Sequence, residues 1–290
     1  MGDEPADDDK TGDSGRMTDR DGGTMEFIKI YTFYIKKFFQ ARAEYRLNFW
    51  VGILANFITY FLAYISYWII TGQLSDIAGW DFSELCLLYG MSLLTYATAG
   101  TLLWYSVYNL SGMIISGTLD VFLTRPMGIL RQLICNRFGD TFLAQIFVTV
   151  LFIVIAMAGR LDGMHIWKVF YFILAVIGGT CIQAGGMIAI GAISFWTMKS
   201  EEVGEIFYYK LRNITKYPLG IFPLAVQKAL TFILPWAFIN YYPSALLSGK
   251  AETRFEVICG CLSPAIGIVL LIISVRFFYI GLRHYNGAGS

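Results

Sequence analysis

From residue 47 onward the chain alternates between long apolar runs and short polar stretches. Runs near 47–70, 85–108, 141–158, 169–197, 219–238 and 257–280 stand out in a sliding hydropathy window. A hydrocarbon layer about 30 Å thick takes about 20 helical residues to cross, so each run predicts one membrane-spanning helix. The third is short, about 27 Å at 1.5 Å per residue, and the fourth is long enough to tilt or project. The pattern therefore predicts an all-α, polytopic membrane protein of six transmembrane helices.

Three further segments repeat apolar residues at steps of three and four, the stripe of a helix lying in an interface. In 25–46 the stripe is Phe27, Tyr31, Tyr34, Phe38, Ala41 and Tyr45, with Lys29, Lys36, Lys37, Arg42 and Arg46 around it. In 199–217 it is Val203, Ile206, Phe207, Leu211 and Ile214, opposite Glu201, Glu202, Glu205 and Arg212. In 109–137 Leu110, Met113, Ile114, Gly117 and Val121 form one edge. Ile129, Leu130, Leu133 and Ile134 resume the period after Arg125-Pro126. The residue before a proline is pushed out of the α region, so this segment predicts a helix, a hinge and a second helix.

Composition agrees: 56% of the 290 residues are hydrophobic, 17% aromatic and only 15% charged. Residues 1–24 differ, with eight acids, three bases and almost no large apolar side chain. They predict a disordered tail or expression tag, and the end of the chain, 286–290, resembles a linker scar. From residue 25 on, 19 bases face 13 acids. Fourteen of those bases fall in 25–46, 109–140, 198–218 and the end of the last span, against four in 71–84, 159–168 and 248–256. Lys228 stands apart, inside the fifth run. The bias places the first group, with both termini, in the cytoplasm.

Candidate chemistry is sparse. The first four spans hold no Asp, Glu, Lys, Arg or His between their ends, which argues against a proton or sodium relay. No G-x-x-x-x-G-K-[ST] phosphate loop is present. His165 and His284 are too few and too far apart for a metal or a triad, and five scattered cysteines show no zinc or disulfide spacing. Asp76 and Asp81 read as solvated charges of an outer loop. No metal site and no cofactor are expected on this chain. An intramembrane cation is a functional candidate, so Lys228 is one, with pairing to a backbone carbonyl or snorkelling as the alternative. Ala175 with Gly179, and Gly185 with Ala189, form small-residue pairs for close helix approach, either within the chain or against a second permease.

The run ISGTLDVFLTRPMGIL (115–130), followed by NRFGD (136–140), resembles permease subunits of bacterial ABC-2-type ABC exporters, in the six-span branch with a G-x-L-D-x-x-L-x-R-P signature. YPLGIFPLAVQKALTFILPWAFINYYPSALL (217–247) is similar to the same family's fifth span and re-entrant hairpin before the last span. The resemblance implies that 109–137 is a coupling segment gripped by a separate ATP-binding subunit, with Gly117, Leu119, Asp120, Leu123, Arg125, Pro126 and Arg131 at the junction. Asp120 and Arg125 either pair with each other or bond across the contact. It places Lys228, Pro235, Trp236, Tyr241, Tyr242 and Pro243 at an outer gate, with Pro235 and Pro243 breaking the helix. Implied partners are two ATP-binding subunits carrying ATP and Mg, a second permease (a copy or a sister chain) and membrane lipids, with no nucleic acid. The implied location is the bacterial inner membrane. An ATP-independent carrier or a lipid-binding scaffold is the alternative. Aromatic, mostly neutral spans suit an amphiphilic cargo.

Overall fold

The computed structural model describes residues 46–72, 77–125, 127–158, 165–197, 200–206 and 214–285, together with isolated helical positions Thr32, Lys36 and Gln40; residues 46–49 and 201 are described by their backbone only. The expected tail 1–24, most of the expected helix 25–46, Asp76, Pro126 and the closing residues 286–290 lie outside them. The chain divides into Met1–Glu44 and Tyr45–Ser290, and residues 46–285 belong to the second unit.

The described residues are helical, without a named strand. Four helices are long and apolar enough to cross a membrane: α1 (Arg46–Gly72), α2 (Phe82–Leu103, prolonged to Ile115), α7 (Ile166–Thr197) and α11 (Arg254–His284). Two bent pairs bring the possible number of spans to six. One joins α5 (Ile129–Asn136) to α6 (Thr141–Met157) at 78°. The other joins Leu224–Ile233 to Pro235–Ser248 at 72°.

Helix α2 is the most enclosed, with α6 and α7 packed along it and α1 reaching it through Tyr64 and Tyr67. The Tyr67 ring stacks on Tyr89 at 4.4 Å, and the Tyr64 hydroxyl donates to Thr149 Oγ1 of α6 at 2.7 Å. The largest interface is α7 on α11, and glycine makes it possible. A Cβ on Gly178 would lie 2.4 Å from Pro264 Cα, and one on Gly267 would lie 2.2 Å from the Gly178 carbonyl oxygen.

Pro264 sits inside α11 without interrupting it. A proline has no N–H for the carbonyl four residues back, here that of Gly260. The Tyr171 hydroxyl of α7 donates to that carbonyl at 2.5 Å.

Two helix starts carry capping boxes, in which a side chain takes the third backbone N–H and that residue's carboxylate returns to the cap. They are Asp81 with Glu84 on α2 and Thr253 with Glu256 on α11. Asp81 is thus not a free loop charge. Glu84, 3% exposed, also pairs with Lys250 at 3.6 Å. The D-x-x-E and T-x-x-E spacings are visible in the sequence.

The run 219–238 differs most from expectation. It contains a 3-10 turn at Leu219–Ile221, the five-residue α9 (Leu224–Lys228) continued by a π-turn to Ile233, a break at Leu234, and a 3-10 turn at Pro235–Phe238. Ten residues from Leu224 to Ile233 rise about 15 Å, half of what a span needs. The apolar average is high, but Pro218, Pro223 and Pro235 each withdraw an N–H. The second arm is α10 (Tyr241–Ser248), which ends on Gly249 in the left-handed region at φ 73°. Lys250 N–H donates to the Ala245 carbonyl at 2.8 Å, a Schellman-type stop.

Candidate functional site

Between α2 and α6 the chain breaks four times. At Trp104–Tyr108 the α2 helix opens into a π-turn, with the Trp104 and Tyr108 rings stacked at 4.1 Å. Short α3 (Leu110–Ile115) ends at Gly117, whose φ of 69° lies in the region that side chains disfavour. There follow α4 (Thr118–Leu123), non-helical Thr124 and Arg125, then α5. The last break, Arg137–Asp140, is tied back to α2 by Gly139 N–H donating to the Thr101 carbonyl at 2.9 Å.

The residues of the 117–131 motif divide between the two faces of this segment. Leu119 is fully buried, as is Phe122 nearly. Asp120, half-buried, accepts a hydrogen bond from the Tyr285 hydroxyl at 3.0 Å. Among the described residues Asp120 and Arg125 form no ion pair; the Arg125 guanidinium lies 5.4 Å over the Phe122 ring. Outward face Ile115 (67% exposed), Val121 (53%), Leu123 (46%) and the exposed Arg125 and Arg131. The segment thus exposes three apolar side chains and two arginines while Leu119 and Phe122 anchor it in the core.

Part of that rigidity comes from Gln132, which the apolar pattern did not single out. It is 4% exposed and its amide donates to the Phe122 carbonyl at 3.0 Å and to the Met127 carbonyl. One side chain on α5 thus closes the end of α4 and bridges the gap around position 126. A polar residue between Arg131 and Leu133 on the buried side of an amphipathic helix was its only signal.

The hairpin residues fall into two groups. Trp236, Tyr242 and Pro243 are buried, and Tyr242 shares a 2.9 Å hydrogen bond with Thr231 across the hairpin. Tyr241 donates to Glu256 at 3.2 Å. Pro235 opens the 3-10 turn and marks the break. Pro243 does not break the chain: it sits in the first turn of α10, where a missing N–H costs nothing. Lys228 ends α9 and is exposed. It is not a charge set deep in a continuous span, because α9 is preceded by the extended Phe222-Pro223.

The small residues of α7 turn toward this chain's own elements. A Cβ on Gly185 would meet Ser274 and Leu270 of α11, and one on Gly179 would meet Thr95 and the Ile239 carbonyl. Ala175 is buried in a cluster with Leu87, Met91 and Leu247, while Ala189 is half-buried.

The stretch around 200–217 has its two described ends at different levels of α2. At one end, in the short α8 (Ser200–Gly204), Ser194 bonds Ser200 at 2.6 Å, and Gly204 lies so close to Tyr108 that a Cβ would be 2.1 Å from its hydroxyl. At the other end Thr215 shares a 3.3 Å contact with Ser92, and the Tyr67 hydroxyl donates to the Lys216 carbonyl at 3.3 Å. The Lys216 ammonium lies 5.7 Å from the Tyr89 centroid. Ser92 and Tyr108 are sixteen residues apart along α2 and the π-turn that continues it, about 24 Å at a helical rise.

Asn240 secures the second of these ends. It is 1% exposed, and its amide donates to the Thr215 carbonyl at 2.6 Å and to the Leu88 carbonyl at 3.2 Å. Removing a buried donor strands its acceptor at about 1–3 kcal/mol. Asn240→Ala should therefore lower the thermal midpoint of the detergent-solubilised protein by several degrees; an unchanged midpoint would mean that water serves the Thr215 carbonyl equally well.

Among the described residues, no group of three or more His, Cys, Asp or Glu could hold a metal ion. A family model described as "ABC-2 family transporter protein" matches residues 57–289. No curated protein and no solved structure matches the chain.

Proposed function

The chain belongs to the ABC-2 transporter family, and we propose that it is the membrane half-pathway of an ATP-driven exporter. Membership makes it a multi-pass membrane permease of a kind that works with ATP-binding subunits. In the proposed assembly two such subunits, carrying ATP and Mg, act on two permeases, either copies of this chain or this chain and a sister. The chain lies in the bacterial inner membrane with both termini in the cytoplasm.

The single observation that carries this reading is an anchored segment that exposes Ile115, Val121, Leu123 and Arg125 while Leu119, Phe122 and Gln132 are buried. Exposed apolar side chains beside an arginine suit a protein contact better than water. ATP-driven closure of the bound subunits presses on this segment and switches the bundle between two packings.

The hairpin 219–248 enters and leaves from the outer side, since Thr215 meets Ser92 and Lys250 pairs with Glu84, both toward the starting end of α2.

Leu123→Asp and Arg125→Glu test the docking surface. Each should reduce co-purification of the ATP-binding subunit at least tenfold, with helix content and monodispersity unchanged. Full retention of the subunit and of its ATPase stimulation in both variants would overturn the assignment.

A further inference from the structure

We propose that Tyr285 is a positioning residue, whose hydroxyl holds the coupling segment onto the end of α11 so that α11 carries motion between that segment and the outer hairpin. The proposal rests on the docking reading above for the source of the motion, but not for the bond itself.

Helix α11 has 31 residues, about 46 Å, and each end is fastened to one of the two irregular regions. At its first turns Glu256 accepts from Tyr241 at 3.2 Å, and Phe255 packs its ring on Tyr242 and on Phe232, both at 6.2 Å. A Cβ on Gly260 would lie 3.1 Å from the Tyr242 carbonyl oxygen, so α10 rests directly on the α11 backbone. At its last turns Tyr285 donates to Asp120 at 3.0 Å, and the Tyr279 hydroxyl stands 3.8 Å from where a Cβ on Gly128 would be. One helix end therefore touches the coupling segment on both sides of position 126.

Between these ends α11 runs as one continuous helix. Pro264 would soften the middle, but Tyr171 occupies the carbonyl it frees, and Gly178 seats α7 against the proline. Phe278 is fully buried and meets Phe195 edge-on at 5.3 Å, while Phe195 also meets the Tyr285 ring at 6.0 Å. The ring of Tyr285 is thus held by packing whether or not its hydroxyl is bonded. What the hydroxyl adds is a directional, charge-assisted link to Asp120, on the one carboxylate of α4. A packed element responds to such a link as a unit, since interiors shift between discrete arrangements rather than deform smoothly.

Tyr285→Phe keeps the ring and deletes only the link; Asp120→Asn keeps an acceptor oxygen, and Asp120→Ala does not. In a cysteine-free background, spin labels at Thr124→Cys and Ile280→Cys report the separation of α4 from α11 in the chain alone. The distribution should be narrow in the parent and in Asp120→Asn, and at least twofold broader in Tyr285→Phe and Asp120→Ala. Combining Tyr285→Phe with Asp120→Ala should broaden it no further.

In the complex with the ATP-binding subunit, a single label at Ser248→Cys reports the hairpin. Adding Mg-ATP with vanadate should change its mobility in the parent, and Tyr285→Phe should cut that change at least fivefold while the subunit stays bound and hydrolyses ATP. A parent-like distribution or hairpin response in Tyr285→Phe would overturn the proposal. So would a Tyr285→Phe complex that sheds its subunit, since Tyr285 would then serve docking itself. A parent chain that binds no ATP-binding subunit would instead sink the docking reading, leaving the label distances to decide the bond.

Discussion

Gly267→Val is expected to abolish the folded protein, and Gly191→Val likewise, while Gly52→Val is expected to be tolerated. The three positions are all helical glycines in apolar runs, and composition does not separate them. Their surroundings do. A Cβ at 267 would fall 2.2 Å from the Gly178 carbonyl oxygen, and one at 191 would fall 2.1 Å from that of Val107. Both obstacles are backbone, so no rotamer change relieves them. At Gly52 a Cβ meets nothing within 4 Å. Overpacking a well-filled core costs about 1–3 kcal/mol when side chains can yield. Where two helix backbones must separate, the loss should exceed about 3 kcal/mol and approach the whole stability of a domain. The measurement is the monodisperse fraction after detergent extraction. Recovery of Gly267→Val at parent yield and midpoint would show that α7 and α11 do not touch as described.

The same contrast shows what the sequence could and could not reveal. The apolar runs giving α1, α2, α7 and α11 were legible because each supplies enough continuous apolar length to cross hydrocarbon, whereas α6 reaches that length only together with α5, from which it bends by 78°. Gly117 and Arg125-Pro126 were legible as interruptions because backbone geometry alone demands them. The π-turn at Trp104–Tyr108 was not: its residues keep a helical apolar period, and the Val107 carbonyl lies against Gly191 of α7, a neighbour distant in the sequence. Asp120 could be seen as part of a motif, but its partner lies 165 residues away, and no local pattern points to Tyr285. Gln132 was hidden for the opposite reason. Its partners are backbone carbonyls, which look alike at every position of a sequence.

Thiol labelling should place Gly220 and Ser248 on the same side of the membrane, opposite Thr124, though hydropathy alone sets 219–238 across it. Both ends of the hairpin sit toward the starting end of α2, where Thr215 meets Ser92 and Lys250 pairs with Glu84. Thr124 follows α4, beyond the other end of α2. Crossing hydrocarbon takes about 30 Å, and Leu224–Ile233 rises about 15 Å before the chain bends by 72°. The apolar average conceals this, because it counts side chains and not the backbone geometry that Pro223 and Pro235 interrupt. Single cysteines at Thr124, Gly220 and Ser248 in a cysteine-free background, probed with a membrane-impermeant maleimide, test the placement directly. Thr124 should react in inverted vesicles only, and Gly220 and Ser248 in intact spheroplasts only. Reaction of Gly220 from the vesicle side would make 219–238 a crossing after all, with its two arms forming one bent span.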